Sequence, residues 1–275
     1  MKHVTYFSIR ITVLFLFFVP HLWAQNEALA VVASAAPANA SVAYTKTWTA
    51  FHNPAVLSAR QSKAVALQYQ NRYSIKELST GAMSFSLPTK AVDIGVAFSY
   101  FGYEDYHELC SGIAFSRRLA KRFSLAVQVN YYAAYFSPSL GYKGNIIAQV
   151  GLLSEIKQGW VIGFHAFNPA QTAINYAESQ KPIPAVFALG SSYAFSPELH
   201  GFFQLDKEIN HPVQWRFGAE YQFVAGFYFR TGFYGNPLVP SLGTGFMLNK
   251  WRIDLQFERQ SLLGISSSCS LQYIF

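Results

Sequence analysis

The sequence is poor in charge, in cysteine and in unbroken apolar runs, and each shortage excludes something. Only 13% of its 275 residues are Asp, Glu, Lys or Arg, against roughly 25% in typical soluble domains. That shortage argues against a surface that meets water on every side. Two cysteines, Cys110 and Cys269, cannot make a disulfide framework or a cysteine metal site. Residue alternation puts them on opposite faces, one inward and one outward, which argues against a disulfide between them. His52, His107, His165, His200 and His211 fall in separate segments, without Ser/His/Asp spacing, a phosphate-cradling glycine loop or a metal-ligand cluster. Neither an enzyme nor a cofactor or metal is therefore expected. The net charge is +7, but the bases are scattered and form no nucleic-acid patch. Beyond residue 24, polar residues interrupt every apolar run well before the roughly 20 residues a transmembrane helix needs. A membrane location therefore requires a closed β-barrel.

What is abundant is aromatic: 25 Phe, 17 Tyr and 5 Trp. Residues 1–24 read as a signal peptide, with Lys2 and Arg10 ahead of the apolar stretch Ile11 to Val19 and a cleavage region from Pro20 to Ala24. Export follows. Residues 25–62 differ from everything after them. They are Ala-rich from Glu27 to Ala43 and then mixed, which reads as short helical pieces and turns. This segment is expected to be a plug or periplasmic lead-in, with Asn53, Pro54 and Ala55 pinning it. Proline fixes φ and lacks a donor, and asparagine caps a turn or a helix start.

Residues 63–275 alternate with period two and are divided by turn chemistry. Fourteen strands are expected: 63–71, 79–88, 91–101, 106–116, 122–135, 145–156, 159–168, 185–195, 198–206, 212–222, 225–234, 240–248, 250–259 and 266–275. An ordinary sheet holds about five or six, so this number argues for closure into an all-β, antiparallel transmembrane barrel. One parity is apolar throughout, as in Val65, Leu67, Tyr69 and Trp251, Ile253, Leu255, Phe257. The other carries Gly, Ala, Ser and Gln with paired ions. A soluble sandwich would expose Lys and Glu on its outer face; small residues and paired ions suit a barrel lumen. Arg216, Glu220, Arg230, Arg252, Asp254 and Glu258 are the expected lumen-lining ions, either pairing to hold the barrel or lining a polar path. Tyr69, Tyr100, Tyr131, Trp160, Trp251 and Phe275, near strand ends, are expected to form aromatic girdles. Connections alternate short, such as Thr89-Lys90, Lys157-Gln158 and Phe223-Val224, with long, such as Asn168 to Pro184, as periplasmic turns and outer loops do.

The last nine residues, Ser267 to Phe275, place Cys269, Leu271, Tyr273 and Phe275 on one face and Ser268, Ser270 and Gln272 on most of the other. A terminal aromatic strand is the expected insertion signal for the barrel-assembly machinery, carried by Leu271, Tyr273 and Phe275, with outer-membrane lipid around it.

Two stretches carry a family resemblance. Asn39 to Ala43 and Trp48 to Leu57, with the Asn53-Pro54-Ala55 element, resemble the N-terminal segment of FadL-like outer-membrane proteins. Leu205-Asp206-Lys207-Glu208, His211 to Tyr221, Arg230-Thr231-Gly232, Leu242 to Phe246 and Arg252-Ile253-Asp254 resemble the PorV/PorQ branch of that superfamily. The resemblance implies a 14-stranded outer-membrane barrel with its N-terminal segment in the lumen. It implies passive uptake of small hydrophobic molecules or, alternatively, a non-transporting accessory role in type IX secretion that binds secreted cargo. His52 and Val56 depart from the aromatic and glycine usual around Asn-Pro-Ala.

Overall fold

Alternating segments leave each strand with two unpaired backbone edges, and a closed ring satisfies them all. The computed structural model describes residues 30–137, 141–176 and 179–275; the expected signal peptide, 1–24, lies outside these. Fourteen strands close the ring. In chain order they are β1 (Ala64–Asn71), β2 (Ser79–Leu87), β3 (Asp93–Gly102), β4 (His107–Ala120), β5 (Phe123–Tyr135), β6 (Tyr142–Lys157) and β7 (Trp160–Phe167). A separate hairpin follows, β8 (Ala173–Tyr176) with β9 (Ser179–Pro182). The ring resumes with β10 (Val186–Ala194), β11 (Leu199–Glu208), β12 (Gln214–Val224), β13 (Phe227–Tyr234), β14 (Val239–Leu248), β15 (Trp251–Gln260) and β16 (Gly264–Ile274). Neighbouring ring strands pair antiparallel, and β1 closes on β16 with Ala64 opposite Ile274 and Asn71 opposite Ser267.

Strand β15 shows the pleat at work. Trp251, Ile253, Leu255 and Phe257 are exposed, whereas Arg252, Asp254, Gln256 and Glu258 are buried. Water would drive such a strand the other way round, so the outer wall is built for lipid. Each large outward side chain, among them Leu67, Val127, Phe229 and Leu271, is worth about 1.5–3 kcal/mol when removed from water. An Arg or Lys at mid-wall would cost about 2–4 kcal/mol. Tyr69, Tyr100, Tyr131, Trp251 and Phe275 all point outward. With its apolar outside and polar inside, the barrel is a multi-pass outer-membrane fold.

The end that carries the start of β1 and the last residue, Phe275, has tight turns, at 121–122, 158–159, 225–226 and 249–250. The opposite, outer end carries the longer connections, including 168–185. Several boundaries depart from the sequence expectation. Strand β4 runs on to Ala120, where Arg117 and Arg118 continue the ladder with β5, and β6 starts at Tyr142, where Lys143 pairs opposite Ala134. The two turns expected at 157–158 and 223–224 sit at 158–159 and 225–226, where Gly159 and Gly226 supply positive φ. The connection expected from Asn168 to Pro184 contains the β8–β9 hairpin.

Inside the ring runs the N-terminal segment, buried over most of residues 30–59. It forms a short 3₁₀ turn (Pro37–Asn39) and a one-turn helix, α1 (Val56–Arg60). Trp48, Phe51, Val56 and Leu57 pack against Ala82, Ala97, Ala114, Tyr132 and Ile147 on β2 to β6. The lumen thus has an apolar half at β2–β6 and an ion-rich half at β11–β16.

Candidate functional site

The candidate site is the lumen together with the segment that occupies it. Asn53 is central to how that segment is held. Its Oδ1 accepts from Ala55 N at 3.0 Å, a local turn that sets up α1. Its Nδ2 donates to Val42 O at 2.7 Å and to Leu152 O on β6 at 3.1 Å. One amide therefore joins two parts of the segment to the wall. Pro54 and Ala55 lie beside it against Gly151, where an added Cβ would stand 2.2 Å from Asn53 Oδ1 and 2.8 Å from Pro54 Cδ. Gly163 gives the same clearance to Val42 O, and Gly218 to Pro37. Inward glycines are thus places where the barrel wall admits the segment's backbone.

Inward glutamines supply the remaining sockets. Gln70 accepts from Ala33 N at 2.9 Å, Gln204 from Val42 N at 2.9 Å, and Gln272 from Thr47 Oγ1 at 3.0 Å. Ser116 Oγ donates to Ser58 Oγ at 2.9 Å, and Arg118 holds the carbonyls of Ser58 and Ala59 at the end of α1. His52 bridges Ser41 Oγ and the Val32 carbonyl, each at 2.9 Å. Burial pushes its imidazole below its ordinary titration range.

The six ions expected in the lumen all point inward, but they form three groups. Glu220 accepts from Arg230 Nε at 2.7 Å, from Lys46 Nζ at 2.5 Å and from Tyr44 Oη at 3.0 Å. Arg230 Nη1 reaches Asp254 at 2.7 Å, and Arg252 Nε reaches it at 2.9 Å. Arg252 Nη2 donates to Tyr44 Oη at 2.8 Å, so Tyr44 closes the ring of contacts. Burial pushes the Tyr44 hydroxyl far above its ordinary titration range and keeps it neutral. Glu258 stands apart, accepting from Asn39 Nδ2 and from Tyr234 Oη. Arg216 pairs with Asp206 and donates to the Ala38 carbonyl at 3.3 Å. In every group the wall ions bind the N-terminal segment. Sequence periodicity finds the wall ions but misses Lys46, Tyr44 and Asn39, which lie outside any alternating strand. It also misses Asp206, although the inward parity of Gln204 on the same strand signals it.

Above the segment, at the outer end, lies a cavity of about 240 Å³. Val31, Val32 and Phe51 of the segment, with Phe167, Val186 and Ala188 of the wall, give it apolar surface. Gln70, Arg72, Asp206, Arg216 and Glu258 give it a polar side. Beside it, the hairpin is tied down by Lys181, which donates to Glu108; Tyr106 and Tyr132 donate to the same carboxylate. Among the described residues no group of three or more His, Cys, Asp or Glu could hold a metal ion.

This architecture recurs in solved structures. Over 89% of this chain and 99% of its own, the Pseudomonas putida toluene transporter TodX superposes with a TM-score of 0.69 at 10% identity. The fold is that of the hydrocarbon channels. The monoaromatic hydrocarbon channel CymD matches with a TM-score of 0.59 and 13% identity, over 81% of this chain and 91% of its own. A Pseudomonas aeruginosa FadL homologue gives 0.58 and 11%, over 82% and 93%. No family model matches the sequence, and no curated protein matches it. At such identities the likeness to CymD and TodX concerns the barrel and its closure.

Proposed function

We propose that this protein is an outer-membrane channel for passive uptake of small hydrophobic molecules, with its N-terminal segment as plug and gate. The observation that carries the proposal is the outer cavity, whose apolar floor is made by the segment itself through Val31, Val32 and Phe51. An apolar pocket with a few polar groups at its rim suits a small apolar ligand. The shared fold with proteins described as a toluene transporter and monoaromatic hydrocarbon channels supports this substrate class. In this reading Asn53, Pro54 and Ala55 are the anchor of the gate. Arg216, Glu220, Arg230, Arg252, Asp254 and Glu258 hold the plug in register and do not line a standing pore. Residues 1–24 direct export. Leu271, Tyr273 and Phe275 present the closing strand to the assembly machinery; Phe275 N already donates to Lys63 O at 2.9 Å across the seam.

The test is uptake of toluene by cells with an intact outer membrane. Cells carrying the barrel should take it up faster than cells without it, and Val186→Trp, which fills the cavity, should abolish the increment. Equal uptake with and without the barrel would end the proposal.

One observation favours a second reading. The lumen is occupied along its length by residues bonded to the wall, which also suits a non-transporting PorV/PorQ-like accessory barrel that binds secreted proteins. Co-purification of secreted cargo with no toluene uptake would select it.

A further inference from the structure

We propose that the terminal end of the barrel holds a binding site for a phosphate-class oxyanion, distinct from the outer cavity. The site is a recess of about 310 Å³ between the N-terminal segment and the walls of β5, β6, β7, β10 and β11. Four cations border it: Lys46 from the segment, Arg118 from the end of β4, and Lys121 and Arg122 from the β4–β5 turn. Glu155 is the acid among its described lining residues. Lys46 is satisfied by Glu220, and Arg118 and Arg122 each donate to backbone carbonyls. No ion pair joins the Lys121 ammonium to a carboxylate among the described residues. The recess therefore carries surplus positive charge that no protein anion neutralises.

A further feature points to a ligand with several acceptor oxygens: Ser192 lines the recess and offers a hydroxyl donor. Ammonium, guanidinium and hydroxyl donors around one small volume match a tetrahedral oxyanion with more than one negative charge. The low-dielectric barrel wall concentrates their field inside the recess. No residue lines both the recess and the outer cavity, and the recess opens at the end where the β4–β5 turn lies. Its ligand therefore arrives from the periplasmic side, either as free phosphate or as the headgroup of an inner-leaflet phospholipid. The site stands whether or not the lumen conducts.

The experiment is calorimetric titration of inorganic phosphate into the full mature barrel in a nonionic, phosphate-free detergent. Saturable binding is expected. The double variant Lys121→Gln, Arg122→Gln should weaken it by about tenfold or more, since each removes a charge-assisted contact. Lys250→Gln, at the same end but outside the recess, should leave it unchanged, and heat-modifiable gel migration checks that all variants are folded. Repeating the titration in nanodiscs distinguishes the sources. Loss of phosphate binding in phosphatidic acid discs, but not in phosphatidylcholine discs, assigns the site to a lipid headgroup; retention in both assigns it to free phosphate. Absence of saturable binding in detergent would overturn the proposal, and so would equal weakening by Lys250→Gln, which would mean diffuse surface charge.

Discussion

Replacing Glu220 by Gln should loosen the N-terminal segment while leaving the barrel closed. Glu220 is wholly buried and takes three donors, Tyr44, Lys46 and Arg230. Glutamine keeps the shape but removes the charge and turns an NH₂ group toward cations. Lys46, Arg230 and Arg252 then face Asp254 alone. Breaking a buried pair in this way costs about 3–5 kcal/mol. The cheapest relief is at Lys46, which is 27% exposed and borders the terminal recess, whereas Arg230 is 2% exposed and held in β13. Strand pairing need not change, so the cost should appear as opening of the segment around Tyr44 to Ala50. At about 1.4 kcal/mol per tenfold, 3 kcal/mol is roughly a hundredfold in the open population. Native-state hydrogen exchange on the detergent-solubilised barrel reads this directly: amides from 44 to 50 should exchange roughly a hundredfold faster, with β12 amides unchanged. Unaltered exchange at 44–50, or acceleration spread evenly over the strands, would refute the reasoning. Adding Lys46→Gln should recover part of the loss, because it removes the stranded cation.

Three other perturbations probe separate links. Gly151→Ala places a methyl group where Asn53 and Pro54 stand, so it should destabilise the segment by about 1–3 kcal/mol; protease resistance of residues 40–60 equal to wild type would contradict this. The buried His52, whose titration is depressed by burial, binds its proton more readily in the released segment than in the packed one. Packing is therefore unaffected above its ordinary value of 6.5 and should weaken as pH falls below it. His52→Gln should flatten that dependence in exchange measured between pH 7 and 5, and an unchanged slope would remove His52 from the explanation. Replacing Tyr273 and Phe275 by Ser should lower the fraction of chain that reaches the heat-modifiable, membrane-inserted form; normal insertion would show that the terminal aromatics are dispensable.

The barrel was legible because its code is local. Period-two alternation locates the fourteen ring strands, and the switch of tight and long connections orients them. Where the code failed, charged residues inside a ladder and very short strands were the cause. Arg117 and Arg118 look like turn residues, but in β4 they continue the ladder with β5. The β8–β9 hairpin, made of Ala-Ile-Asn-Tyr and Ser-Gln-Lys-Pro, is too short to show a period. The site was legible by halves. Inward parity identifies Glu220, Arg230, Arg252 and Asp254, whose register follows from the pleat. Their partners Tyr44 and Lys46 come from a segment without periodicity, 174 residues or more away in sequence, so no local rule pairs them. Inward glycines such as Gly151 and Gly163 were visible as gaps in the pattern, and only the packed segment explains what fills them.

The most direct test is planar-bilayer conductance of the mature barrel with and without residues 25–57. If that segment is the plug, the full-length barrel stays closed and the shortened barrel gives a stable ohmic conductance. A shortened barrel that inserts, migrates as a folded barrel and remains closed would contradict it.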